Sequence, residues 1–172
     1  MSRLIATFFY VGLLRPAPGT WGSAAAIPVA YVIHGLGGFP ALLVATVAVF
    51  ALGWWATVQE TRGKDDHDPS EIVIDEVAGM WIALWPLSAG LWWMGADAWV
   101  FPYPGWVMGF LLFRLFDIWK PGPVGWADRR NDAFGVMVDD VIAGLMAAVL
   151  VMIAAMLGHR GAQIWEYILW IT

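Results

Sequence analysis

Long apolar blocks separated by short polar or turn-rich stretches make up most of this chain. The blocks that carry this pattern cover residues 23–34, 41–58, 69–94, 106–120 and 138–157. Most of them are longer than a half-buried strand, and the longest approach the roughly 20 apolar residues that cross a bilayer as a helix. The pattern predicts an all-α fold: a small polytopic membrane helix bundle of about five helices, forming a single membrane-embedded domain over residues 1–172.

Turn-forming residues mark the ends of the first blocks. Residues 2–15 predict a short N-terminal helix, which the two prolines and the glycine of PAPGT at 16–20 must end. The sequence GLGGFP at 35–40 predicts a second turn. Residues 23–34 and 41–58 are therefore expected to form a helical hairpin.

Capping signals set the expected limits of the third helix. Asp68 at the N-cap, Pro69 at the first helical position and Glu71 three residues after the cap predict its start. Pro86 is expected to kink it. At the other end of the chain, the tail from Gly161 is predicted to be amphipathic and to lie along the membrane interface.

The faces of the third helix are expected to differ. Val77, Met80 and Leu84 are predicted to face lipid. Ala78 and Gly79 are small, so they are predicted to let a neighbouring helix approach closely.

Composition supports the membrane interpretation and removes several classes of function. Hydrophobic residues make up 60% of the chain, which includes 13 Trp, whereas about half apolar content is typical of soluble domains. There is no Cys, which excludes disulfides, zinc–thiolate sites and cysteine nucleophiles. Nine Lys and Arg spread among so much apolar sequence make no basic face, so nucleic acid is not expected as a partner.

Acidic residues concentrate just before an apolar segment. Six of the 14 acids fall within DDHDPSEIVIDE at 65–76. Asp75 and Glu76, at its inner end, adjoin apolar sequence, where an ionised side chain is costly without a partner. Glu71 lies four residues before Asp75 and is predicted to share its helix face.

The same motif occurs a second time. IVIDEV-AGM at 72–80 resembles VMVDDVIAGL at 136–145, which places a second acidic pair at Asp139 and Asp140. Two helices that each bring a carboxylate pair to one membrane face can build a divalent-metal site, and oxygen ligands favour magnesium or manganese over zinc. The competing structural interpretation is that these acids only stabilise the first turns of helices.

Between the two acidic pairs, Arg114, Asp117 and Lys120 recur at every third position of a predicted helix end. Cations beside a metal site suit a phosphate monoester, because they neutralise its charge and the charge that develops during transfer. Residues 18–20 could add backbone N–H groups and the Thr20 hydroxyl at a helix N-terminus. A salt-bridged helix end that snorkels to the interface is the competing interpretation.

Counting the predicted crossings places the loops at 16–20, 60–70 and 120–133 on one side of the membrane. That side receives most of the basic residues, namely Arg3, Arg15, Arg62, Lys64, Arg114, Lys120, Arg129 and Arg130. The positive-inside rule then makes it the cytoplasmic side. His67 lies in one of these loops, where an exposed histidine is more common than a ligand.

Four ordered motifs resemble the phosphatidylglycerophosphatase A family over nearly the whole chain. They are PAPGTWGS at 16–23, HDPSEIVIDEVAGMW at 67–81, FRLFDIWKP at 113–121 and GVMVDDVIAGL at 135–145. The resemblance implies a magnesium-dependent lipid phosphate monoesterase that converts phosphatidylglycerophosphate to phosphatidylglycerol and phosphate. It also implies a multi-pass protein of the bacterial inner membrane, with the site on its cytoplasmic face and a phospholipid as substrate.

The resemblance points to the same residues as the motifs do. The candidate catalytic residues are Asp75, Glu76, Asp117, Asp139 and Asp140. The candidate ligands of Mg²⁺ are Asp75, Glu76, Asp139 and Asp140. The candidate substrate-binding residues are Thr20, His67, Glu71, Arg114 and Lys120.

The clustering of acids and cations predicts a phosphomonoesterase in which magnesium binds the phosphate and activates the attacking water. An aspartyl nucleophile stays open as an alternative. A CDP-alcohol phosphatidyltransferase is a second candidate class, although its DG…AR…G…D…D spacing is not found in this chain. A small membrane cation transporter or scaffold is the third, with the acids as cation ligands or a proton relay.

Overall fold

The computed structural model describes residues 1–64, 69–130 and 132–171, with side chains described as far as residue 158. The helices are α1 (Ser2–Ala6), α2 (Pro18–Thr61), α3 (Ile74–Ala83), α4 (Trp85–Trp93), α5 (Tyr103–Trp119), α6 (Pro123–Asp128) and α7 (Ala133–Ile171). A 3-10 turn at Val11–Leu13 connects α1 to α2. Within these ranges the chain forms helices and no strand, which confirms the predicted all-α class.

The long helix α2 contains a sharp change of direction. Gly37 and Gly38 have non-helical backbone angles, and Gly38 has a φ of +64°, which glycine adopts at little cost. We call residues 18–36 the first limb of α2 and residues 39–61 its second limb. The change of direction lies within the turn predicted at 35–40.

Contacts with the start of α3 show that the two limbs run antiparallel. Gly22 of the first limb packs against Val73, and Gly53 of the second limb packs against Ile74. A straight helix would separate Gly22 from Gly53 by more than about 45 Å, at about 1.5 Å per residue. The predicted helical hairpin is therefore confirmed.

Helix α3 lies at the centre of the bundle. All of its residues are buried except Glu76, which is partly buried, and it contacts α2, α5 and α7. Val77, Met80 and Leu84 are completely buried, so the prediction that they face lipid is wrong. A helix that is apolar all round has the same sequence pattern whether lipid or protein surrounds it.

Helix α3 also begins later than its capping signals predict. Its first residue is Ile74, whereas the predicted start was Asp68–Pro69. The N–H of Val73 donates to the carbonyl of Ala6 in α1 at 2.9 Å, so tertiary structure takes the place of an earlier helical turn. Asp68 itself lies outside the described residues. In place of the predicted kink at Pro86, α3 and α4 are separated at Leu84, which keeps right-handed helical backbone angles.

Helices α3 and α7 cross in close contact through two glycines. A Cβ added to Gly144 would lie 2.3 Å from the carbonyl oxygen of Gly79. A Cβ added to Gly79 would lie 2.5 Å from the ring of Phe113 in α5 and 2.6 Å from the carbonyl oxygen of Asp140. Gly79 and Gly144 occupy equivalent positions in the two copies of the repeated motif, so the repeat marks the place where its own two helices meet.

Large apolar side chains cover much of the outer surface, while small residues fill part of the interior. Trp93, Leu36 and Ile118 are at least 70% exposed, and Ala26 and Ala56 are completely buried. Such a surface is unusual for a soluble monomer. Small residues inside and large apolar residues outside are the arrangement expected of helices packed in lipid.

Two helices are long and apolar enough to cross a membrane. They are α2 (Pro18–Thr61) and the part of α7 from Ala133 to Gly158, with mean hydropathies of 2.1 and 2.6 over their most apolar 18 residues. The other described helices do not meet this criterion, so the predicted number of about five membrane helices is not confirmed. The predicted C-terminal tail continues α7 as helix to Ile171, and its side chains lie outside the described residues.

The glycine crossing gives a stability prediction. Gly144→Ala should destabilise the protein by about 1–3 kcal/mol, the usual range for an overpacked site, because its Cβ meets backbone that cannot rotate away. The matched control is Gly90→Ala in α4, whose Cβ would meet nothing within 4 Å and which should leave stability unchanged or slightly higher. Thermal unfolding in detergent, followed by circular dichroism, compares the two variants. Equal unfolding temperatures would contradict the tight crossing.

Candidate active site

Three carboxylate groups from two helices converge at one end of the bundle. Asp75 and Glu76 of α3 and Asp140 of α7 each place one carboxylate oxygen within 4.8 Å of the other two. We call these residues the acidic cluster. Asp75 is 6% exposed and Asp140 is 3% exposed. Buried carboxylates this close repel one another unless positive charge compensates them.

The two acidic pairs share a local geometry. The N–H of Glu76 donates to Oδ1 of Asp75 at 3.0 Å, and the N–H of Asp140 donates to Oδ1 of Asp139 at 2.9 Å. The first acid of each pair thus binds the backbone of the second. This likeness supports the interpretation of the two motifs as an internal repeat.

The first turn of α2 closes one side of the acidic cluster. A Cβ added to Gly19 would lie 2.2 Å from Oε1 of Glu76 and 3.2 Å from Nη1 of Arg114. The hydroxyl of Ser23 donates to the carbonyl of Gly19 at 2.8 Å, and Arg114 donates to the Ser23 hydroxyl at 3.5 Å. Thr20 lies in the same turn. Ser23 was not among the predicted site residues, although it is the last residue of the PAPGTWGS motif and the first of an apolar block.

Arg114 and Asp117 form an ion pair beside the acidic cluster. Nη1 of Arg114 donates to Oδ2 of Asp117, and their side chains are 15% and 14% exposed. The carboxyl group of Asp117 is close enough to that of Asp140 to interact with it electrostatically. Asp117 therefore lies between the cationic side of the site and the acidic cluster.

Lys120 binds Asp139, the one acid of the two repeated pairs that is not in the acidic cluster. Its Nζ donates to Oδ2 of Asp139 at 2.8 Å and also to Oδ1 of Asp128. Burial alone would lower the pKa of Lys120, but these two hydrogen bonds raise it above its usual value, so the ammonium stays charged. Asp139 thus belongs to a lysine pair rather than to the acidic cluster. Asp128 was not among the predicted site residues, because nothing in its loop sequence distinguished it from other solvated acids.

Glu71, one of the predicted substrate-binding residues, is not part of the acidic cluster. Glu71 pairs with Arg3 at 3.2 Å, and its side chain is 41% exposed. Glu71 precedes the start of α3, so the prediction that it shares a helix face with Asp75 is wrong. His67 lies outside the described residues.

The donor set of the acidic cluster fits a hard divalent cation. Oε2 of Glu76 is buried and has no hydrogen-bond partner among the described residues, although a carboxylate oxygen in such a place needs one. Gly19 leaves room beside Glu76 that a side chain would fill. Carboxylate oxygens are the ligands that Mg²⁺, Mn²⁺ and Ca²⁺ prefer in proteins. The residues present could therefore hold a metal ion, without distinguishing among these metals.

Comparison with known proteins gives this site a context. A sequence model described as PgpA, phosphatidylglycerophosphatase A, matches residues 4–155. The chain belongs to the phosphatidylglycerophosphatase A family. It is 36% identical over 150 residues to phosphatidylglycerophosphatase A of Haemophilus influenzae, covering 87% of this chain and 85% of that protein. It is 37% identical over 150 residues to the Escherichia coli protein of the same name, covering 85% of this chain and 78% of that protein.

A third relative carries a different name. A Bacteroides thetaiotaomicron protein, provisionally named a phosphatidylinositol-3-phosphatase, is 36% identical over 155 residues, covering 88% of this chain and 91% of that protein. No solved structure matches the chain. Family membership makes this protein a phosphatase, so the phosphatidyltransferase and transporter interpretations are set aside.

The contact between α2 and the acidic cluster gives a prediction for this phosphatase. Gly19→Ala should lower activity by about 10- to 100-fold, the usual loss when a group that supports a metal ligand is changed, because its Cβ would displace Glu76. Phosphate release from phosphatidylglycerophosphate measures the loss. Gly158→Ala, whose Cβ would meet nothing within 4 Å, is the matched control and should keep full activity. Full activity in Gly19→Ala would show that the first turn of α2 does not shape the site.

Proposed function

We propose that this protein hydrolyses the terminal phosphate ester of phosphatidylglycerophosphate, giving phosphatidylglycerol and inorganic phosphate, with Mg²⁺ held by Asp75, Glu76 and Asp140. The observation that carries the proposal is the convergence of these three carboxylates beside Arg114 in a member of this family. The names of the two phosphatidylglycerophosphatase A relatives support the substrate.

The metal would supply Lewis acidity at the phosphate and lower the pKa of a bound water, which becomes a better nucleophile near neutral pH. The carboxylates of the acidic cluster, near the N-terminal ends of α3 and α7, would hold the cation. Asp139, the fourth predicted ligand, acts through Lys120 in this proposal, because its Oδ2 accepts a hydrogen bond from that ammonium.

Arg114, Lys120 and the first turn of α2 bind the substrate phosphate in this proposal. Arg114 approaches both Gly19 and the Ser23 hydroxyl, so its guanidinium lies where the N-terminus of α2 also favours an anion. Asp117 holds that guanidinium in place by accepting its hydrogen bond. Thr20, in the same turn, can add its hydroxyl as a further donor.

The proposed reaction is attack by water on the terminal phosphorus. The water oxygen forms a new bond to phosphorus as the bond from phosphorus to the glycerol oxygen breaks. The glycerol oxygen takes up a proton and leaves as the hydroxyl of phosphatidylglycerol, while inorganic phosphate carries the oxygen of the water. Arg114 and Lys120 stabilise the charge on the phosphate oxygens throughout.

We further propose that the protein crosses the bacterial inner membrane several times, with the site on the cytoplasmic face. The two limbs of α2, the α3–α4 pair, α5 and the first part of α7 would make five crossings. The hairpin contacts of α2 and the two helices apolar enough to cross a membrane support this arrangement. Arg3, Arg114 and Lys120 lie at the same end as the acidic cluster, as the positive-inside rule expects for the cytoplasmic side.

Removal of single charges from the acidic cluster tests the proposal. Asp75→Asn, Glu76→Gln and Asp140→Asn should each lose about 100-fold or more of the activity, because a catalytic metal contributes several kcal/mol to the transition state. Each variant should also bind Mg²⁺ more weakly, as measured by isothermal titration calorimetry. Phosphate release with phosphatidylglycerophosphate, with and without Mg²⁺, gives the activity.

The control for these variants is Asp97→Asn, which removes the same charge from the loop between α4 and α5 at the far end of the bundle. It should keep full activity.

Phosphatidylinositol 3-phosphate belongs in the same assay, because the name of the Bacteroides relative indicates that lipid. Near-normal turnover in all three cluster variants would overturn the proposed site.

A further inference from the structure

Lys120 has two carboxylate partners that differ in exposure. The side chain of Asp139 is 8% exposed, whereas that of Asp128 is 40% exposed. Breaking the Asp139 pair would leave a buried carboxylate without compensation, which is strongly unfavourable. An exposed pair contributes little, because water replaces either partner. Asp128 is therefore the partner that Lys120 can exchange for another anion.

The backbone around this pair is fixed, so an exchange has to take place through side chains. Lys120 ends α5 with a φ of +49°, and its N–H donates to the carbonyl of Phe116 at 2.8 Å. Gly125 of α6 packs on the Lys120 carbonyl, where an added Cβ would lie 2.7 Å away. Val124 and Ala127 of α6 are completely buried. The end of α6, which carries Asp128, cannot move away without disrupting this packing.

We propose that Asp128 is an intramolecular competitor of phosphate for Lys120. This inference rests on the proposed function, in which Lys120 binds the terminal phosphate of the substrate. A phosphate monoester carries a charge of about −1.5 to −2 at pH 7 and three strong acceptor oxygens, so it displaces a carboxylate that carries a single charge. Asp128 rotates into water when the phosphate binds, while Asp139 keeps its hydrogen bond to Lys120.

The same competition acts on the product. When inorganic phosphate loses its ester link to the lipid, Asp128 returns to Lys120 and takes over the hydrogen bond that the phosphate leaves. Lys120 then donates to Asp139 and to either the phosphate or Asp128 at every stage. This replacement lowers the free energy needed to release phosphate. Asp128 thus weakens the binding of every phosphate that contacts Lys120, substrate and product alike. Its role is to position and occupy Lys120, without contact with the reacting atoms.

The test compares Asp128→Asn with the wild-type protein in two measurements. The first is binding of inorganic phosphate to the full-length protein with Mg²⁺ present, by isothermal titration calorimetry. The second is KM for phosphatidylglycerophosphate. The Kd for inorganic phosphate and the KM should both fall in Asp128→Asn. They should fall by the same factor of about two- to fivefold, the range expected for loss of one exposed ion pair. The value of kcat should not rise, because the chemistry is unchanged.

Asp132→Asn is the matched control. Asp132 lies on the connection that follows α6, its side chain is 47% exposed and it pairs with Arg130 at 3.1 Å, so its replacement removes an equal charge at similar exposure. It should change neither constant. A second control is the Lys120→Met background, which should weaken phosphate binding by itself. In that background Asp128→Asn should have no further effect, because the two residues act through one contact.

Phosphate binding that is unchanged or weaker in Asp128→Asn would overturn the inference. If Asp128→Asn tightened phosphate binding equally in the Lys120→Met background, the inference would also be overturned. The effect would then come from the net charge of the surface and not from Lys120. A wild-type protein that releases no phosphate from phosphatidylglycerophosphate would contradict the proposed function instead. The calorimetric comparison would still show whether Asp128 competes with phosphate, so the two failures are distinguishable.

Discussion

The repulsion among three closely spaced carboxylates, two buried and one partly buried, is the constraint on which the rest of this structure depends. Their oxygens lie within 4.8 Å of one another, at a place from which protein largely excludes water. Charges of the same sign interact most strongly where the surroundings screen them least. Arg114 and Lys120 lie at the rim and pair with Asp117 and Asp139. The three carboxylates of the acidic cluster could hold a divalent cation, whose charge would offset their repulsion.

A cluster of like charges needs a rigid support, and glycine supplies much of it. Gly79 and Gly144 bring the backbones of α3 and α7 into contact, within one turn of the acids on each helix. Gly19 allows the first turn of α2 to press against Glu76. Any side chain at these positions would push the helices apart, and the carboxylate oxygens would separate with them. The glycines of the motifs therefore allow the close helix contacts that hold the acids of the motifs together.

The sequence predicted that the two acidic pairs lie close together, but not which of the four acids form the acidic cluster. The repeat of two acidic pairs indicated a shared site, and the turn at 35–40 indicated the hairpin. The separation of Asp139 from Asp140 depends on how α7 is rotated about its axis, since neighbouring residues of a helix point about 100° apart. That rotation is fixed by packing against α3 and α5. No local pattern in the sequence records it.

Anomalous X-ray scattering from crystals of this protein grown with Mn²⁺ would locate the cation directly, because Mn²⁺ has the same preference for oxygen ligands as Mg²⁺. We predict an anomalous peak at bonding distance from carboxylate oxygens of Asp75, Glu76 and Asp140, with Asp139 still bound to Lys120. A peak held by Asp139 and Asp128 instead, or no peak at saturating Mn²⁺, would contradict this prediction.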